Sequence, residues 1–147
     1  MADTVYVDGS TLLTADTMND VNRLHYTILG DPADAAAVSN ALPIPQNSQS
    51  TAYTTVLGDA NKHLLHPTAD NNPRTFTIAA NASVSYATGT TITFVNQINT
   101  MTIAINSDTL TLAGAGSTGS RTLAAGGVAT ALKIASTSWI ISGVGLT

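Results

Sequence analysis

Cysteine is missing from this chain altogether, and with it go disulfide staples, thiolate nucleophiles and every cysteine-based metal site. Glutamate is missing too, so all nine acidic residues are aspartates. A paired-carboxylate acid/base site would have to be assembled from aspartates scattered widely along the chain. Charge of either sign is scarce, at 10% of residues, against roughly 25% in ordinary soluble domains. Five Lys and Arg residues and a net charge of -4 cannot supply the cationic stripe that a phosphate backbone demands, since each contacted phosphate takes one cation. Nucleic acid is therefore not expected as a partner. Long apolar runs are also absent, and nothing approaches the roughly 18 residues of a membrane helix. The opening MADTVYVDGS carries Asp3 and Asp8 where a secretory leader carries Lys or Arg, so neither a leader nor a membrane partner is expected.

What is present is a 147-residue chain rich in Thr, Ala, Ser, Asn and Gly, with room for about one domain. Its few charges are unevenly placed. Eight of the nine aspartates precede Asn71, and from there to the end only Arg74, Asp108, Arg121 and Lys133 are charged. The chain is read as an acidic, partly helical front, residues 1–50, and a β domain, residues 51–147, whose core strands follow this charge boundary.

In the front part, Thr14 is placed to cap the helix ADTMNDVNRLHYTIL, with Asp16 favoured at the positive end of its dipole. Met18, Val21, Leu24 or His25, and Ile28 then recur at three- and four-residue intervals as an apolar stripe. Gly30 stops this helix, and Asp31-Pro32 starts a second, ADAAAVSNAL, that ends before Pro43. The run PIPQNSQSTAY, with Pro43 and Pro45, has neither period and reads as an extended arm. Helices this short are marginal alone and need something to pack on. The stripe together with Pro43 and Pro45 is the candidate partner interface, with residues 1–50 serving for attachment.

After Arg74 the period changes to two. RTFTIAA and TTITFVN alternate apolar and hydroxyl side chains, MTIAI, DTLTLA, VATALKIA and SWIISGV continue the period-two pattern, and turn signals separate them. Six short strands with no helical segment between them predict a mainly β fold, an antiparallel β-sandwich or jelly-roll-like domain with its core strands over about 74–147. The spacing leaves no room for parallel βαβ units.

Candidate chemistry is thin. Gly114, Gly116 and Gly119 spell G-x-G-x-x-G after a strand, but a dinucleotide site also needs a helix at the third glycine and an acidic residue about 20 positions on. Here Gly126-Gly127 stands where the helix should run and no acidic residue follows Asp108, so the glycines are read as a turn. His63 and His66 form H-L-L-H, which on a helix would share one face, yet Pro67 follows at once and no third ligand is near in sequence. Asp59 and Asp70 read as turn residues and Asp108 as the acceptor closing a hairpin. Trp139 sits in a strand as a core anchor, a subunit contact or a sugar-stacking platform. No catalytic residue, cofactor or metal is assigned.

The β region RTFTIAANASVSYATGTTITFVNQ, followed by MTIAINSDTLTLAG, GSTGSRTLAAGGVATALKI and SWIISGVGLT, resembles a β module recurring in proteins of tailed bacteriophages and prophages. In that module a G-T-x-I-x-F/V strand, a D-T-L strand, a small-residue loop, an A-T-x-x-K-I/V strand and a final W-I/V-x-x-G follow in this order. STLLTADTMNDVNRLHYTIL likewise resembles the T-A-x-x-(L/M)-N helix near the start of tail-fibre and other virion proteins. The resemblance implies a non-enzymatic virion structural protein, assembled in the host cytoplasm and carrying no catalytic residues. The chain's shortness favours a capsid decoration or cement protein over a fibre shaft. Its expected partners are itself, as a dimer or trimer, and other virion proteins, the major capsid protein first. The alternative is a short tail fibre or tail adaptor that attaches to a host receptor, with a host glycan as ligand. An enzyme acting on cell-wall sugar is a third class, without a nameable acid/base pair.

Overall fold

Alternating apolar and hydroxyl residues give each strand one inward and one outward face, and in the computed structural model those faces sort consistently. The structure describes residues 6–8, 11–13 and 43–147. In the front part, β1 (Tyr6–Asp8) and β2 (Thr11–Leu13) pair antiparallel, with Tyr6 opposite Leu13. The two expected helices, and with them Met18, Val21, Leu24 and Ile28, lie outside the described residues. Pro43 and Pro45 are described, and both are exposed.

The unit Ile44–Thr147 is built on two parallel stacks. One contains β3 (Gln46–Ser48), β5 (His63–His66) and β7 (Thr91–Asn96), with Asn47, Leu64 and Phe94 in register. The other contains β4 (Tyr53–Thr54), β6 (Arg74–Ile78) and β8 (Met101–Ile105), with Tyr53, Phe76 and Ile103 in register. The chain visits one stack, then the other, then advances one strand position along both. This is a β-solenoid-like coil, and it corrects the expected antiparallel sandwich or jelly roll. Period-two alternation marks a strand and its inner face, but carries nothing about the direction of the neighbouring strand. Parallel pairing without helices is reached because each connection crosses to the other stack instead of returning over the same sheet. The expected arm is corrected as well. Gln46–Ser48 and Tyr53–Thr54 are the first strands of the coil, bonded to β5 and β6.

The later strands close the coil. In β10 (Arg121–Ala135), Arg121–Leu123 runs antiparallel to β8 and Gly127–Leu132 runs antiparallel to β7, so one strand caps both stacks. The corner between them is a bulge. Leu123 and Val128 face Leu146 and Val144 of β11 (Ser138–Leu146), and Gly126 at its apex has φ 76°, the left-handed region in which glycine carries no Cβ penalty. β11 also pairs parallel with β9 (Thr109–Leu112). β8 and β9 are not partners, so Asp108 closes no hairpin. Its Oδ2 instead accepts the backbone N–H of Asn81 at 3.1 Å.

The interior contains Leu64, Phe94 and Ile92 from the first stack, Phe76, Ile78 and Ile103 from the second, and Ala129, Trp139 and Ile141 from the closing strands, all buried. Each large side chain among them contributes about 1.5–3 kcal/mol through removal from water. Trp139 is thus a core residue, edge-to-face with Tyr86 at 5.6 Å.

Candidate functional site

The residues with chemical potential fall into two inward polar clusters and one outward face. The first cluster centres on His66. Three residues apart on a strand, His63 and His66 point to opposite sides, which corrects the shared helical face of H-L-L-H. His66 is fully buried and His63 is half-buried on the outer side. The Nδ1 of His66 lies 2.8 Å from Asn96 Oδ1, and Nε2 lies 3.2 Å from Asp70 Oδ2. Asn96 Nδ2 donates to the carbonyls of Asn99 and Leu123, both at 2.9 Å, tying the end of β7 to its own turn and to β10. Asp70 accepts from both Nε and Nη2 of Arg74 and from Asn72 Nδ2. The Arg74 guanidinium, then Asn72, hold the Asp70 carboxyl well below the usual carboxylate range. Asp70 is therefore more than the turn residue the sequence suggested.

The second cluster centres on buried Asp59, whose carboxylate accepts from Asn47 Nδ2, the Tyr53 hydroxyl and the Val56 N–H, each at 2.8 Å. It ties β3 and β4 to the 3-10 turn Leu57–Asp59. Burial, then the bond to Asp59, raises the Tyr53 hydroxyl. Nearby, Tyr86 donates to the Val56 carbonyl at 2.6 Å, and burial pushes its hydroxyl up to about 12. In both clusters the hydrogen bonds join strands and turns of the coil to one another. Among the described residues, no group of three His, Cys, Asp or Glu side chains converges to hold a metal ion.

The glycine motif is a turn. Gly114, Gly116 and Gly119 have φ of 80°, 69° and 114° in the connection from β9 to β10, and the strand that follows is β10, without an intervening helix.

The outward face of β5, β7, β10 and β11 is a candidate interaction surface. Val95, Val128 and Val144 stand in one row across β7, β10 and β11. The next row is Thr93, Thr130 and Ser142, with the two threonine hydroxyls 3.0 Å apart. Leu132 and Ile140 follow, and Ile134 extends the stripe along β10. Val144 is 80% exposed, Ile134 50% and Val128 45%. No Asp, Lys or Arg stands on these rows. Four strands at ~4.8 Å spacing and about seven residues at ~3.3 Å give a face on the order of 400 Å². That is the size of the largest apolar patches on monomers, which are often functional. Sequence reasoning missed this face, although VATALKIA and SWIISGV are apolar at both parities, so their alternation fails. No protein family, curated protein or solved structure matches this chain.

Proposed function

We propose that this chain is a non-enzymatic structural protein of a bacteriophage virion, a decoration or cement protein that binds the assembled shell as a homo-oligomer. The observation that carries this reading is the uncharged outward face of β7, β10 and β11. A chain with a net charge of -4 meets its own copies at lowest electrostatic cost where neither surface is charged. Hydroxyls in the middle row both donate and accept, so the face is complementary to itself about a two-fold axis. Two such faces bury on the order of 800 Å², short of the ~1,200–2,000 Å² of stable specific interfaces. A second copy therefore docks weakly in isolation. Repeated attachment through residues 1–50 to an ordered shell raises the effective concentration, and the same weak contact then holds.

The parallel stacking of β3, β5 and β7 supports a second reading, a short tail fibre or adaptor, because a coil of this kind extends along one axis. Copy number separates the two. Under the first reading, quantitative gels or electron microscopy of purified particles find this chain in numbers comparable to the shell subunits, and particles lacking it leak on heating. A tail-scale copy number, with intact particles that fail to adsorb, supports the second. A particle that never contains the chain removes both.

A further inference from the structure

Lys133 is the most unusual side chain in the core. It is 1% exposed, and among the described residues no carboxylate lies within ion-pair distance of it. Its Nζ lies 5.3 Å from the Trp139 ring centre and 5.9 Å from that of Tyr86. Its side-chain hydrogen bond goes to Asn81 Oδ1, at 2.8 Å and 52 residues away in sequence. Both participants are held in place. The backbone N–H of Lys133 donates to the Thr90 carbonyl and its carbonyl accepts from Gly89. Asn81 sits in the turn between β6 and β7, fixed by the Asp108 carboxylate on its own N–H.

We propose that Lys133 and Asn81 join spontaneously in an intramolecular isopeptide bond. An amine nucleophile is in hydrogen-bond contact with the oxygen of a carboxamide, and the carbon to be attacked is one bond further on. Buried lysines serve as nucleophiles because an aromatic, water-poor site strips the amine of its hydration. Fixed approach of two groups replaces a bimolecular collision, and for reacting atoms held ~3–3.5 Å apart it supplies effective molarities of ~10⁵–10⁸ M. In the step, the lone pair of Lys133 Nζ attacks Asn81 Cγ, and the Nζ–Cγ bond forms as the Cγ–Nδ2 bond breaks. Nδ2 leaves with its two hydrogens and one taken from Nζ, as ammonia. Atoms and charge balance without oxidant, metal or nucleotide. The product ties β10, which closes both stacks, to the connection between β6 and β7.

Intact mass spectrometry of the full chain, purified and denatured, tests this directly. The expected mass lies about 17 Da below the sequence value, the loss of one ammonia, after allowance for the initiator Met. Proteolysis then yields a branched peptide joining Asn81 to Lys133. Lys133→Met and Asn81→Ala, which lack the amine and the amide, restore the full mass. An unchanged mass in the natural chain overturns the proposal, whether or not the variants fold. So does the same deficit with only linear peptides, the signature of a succinimide elsewhere.

Discussion

At the scale of single residues, the His66 cluster is a junction rather than a reactive site, and two measurements follow from its geometry. Asn96 bonds His66, Asn99 and Leu123 from a fully buried position. Asn96→Ala removes all three of these bonds, two of them at fully buried groups. The expected cost is about 3 kcal/mol in urea unfolding at neutral pH, since each abandoned buried group costs ~1–3 kcal/mol. Asp70 gives a pH dependence of defined sign. Its carboxyl is held low in the folded chain, first by Arg74 and then by Asn72, while in the unfolded chain it titrates near the ordinary ~3.9. Between those two values the unfolded state binds the extra proton. The stabilisation from Asp70 is therefore complete above about pH 5 and drains away as pH falls through and below ~4. Urea midpoints measured from pH 7 down to pH 2 should fall more steeply for the natural chain than for Asp70→Asn, the gap narrowing toward the acid end. Parallel curves would show that Asp70 carries no such linkage.

At the scale of elements, the hairpin of β10 and β11 depends on one glycine for contact and not for backbone freedom. A Cβ on Gly143 would stand 2.2 Å from the Val128 carbonyl oxygen and 2.5 Å from Ala129 Cα. Both are backbone atoms of the paired strand, which cannot swing away without breaking the ladder. Gly143→Ala should therefore cost about 3 kcal/mol or more, the upper range of overpacking. Gly58→Ala meets no atom within 4 Å and should stay within about 0.5 kcal/mol. Thermal melts of the two variants compare a crowded glycine with an open one. The same strands show what the sequence carries. RTFTI, TITFV and MTIAI declare themselves as strands because their inner positions, Phe76, Phe94 and Ile103, alternate with threonines. Their parallel pairing is not written in that alternation, since Asn47, Leu64 and Phe94 meet only after connections of unequal length have brought them into register. Gln46–Ser48 and Tyr53–Thr54 are illegible for another reason. They are short edge strands whose inward groups, Asn47 and Tyr53, are satisfied by Asp59, so no apolar period marks them. Lys133 reads as an interruption of VATALKIA until the fold brings Asn81, Tyr86 and Trp139 around it.

At the scale of the whole molecule, the decisive contrast is between a closed interior and an open outer face. Both inward polar clusters are consumed in joining strands, whereas Val128, Leu132, Ile134 and Val144 remain exposed on outward rows that carry no Asp, Lys or Arg. Val144 and Ile134, 80% and 50% exposed, gain least from burial in the fold, so replacing them tests association separately from stability. Ile134→Asp combined with Val144→Asp sets two like charges on each copy, and these oppose the same charges across a two-fold contact. Light scattering across a concentration series should show the natural chain shifting toward a larger species as concentration rises, as a face of this size requires. The double variant should stay monomeric over the same range, with its melting changed by no more than about 1 kcal/mol in equivalent stability. A natural chain that is monomeric at every concentration would remove the self-docking role of this face. An oligomer that survives both charges would move the contact to another surface, with residues 1–50 the first to examine.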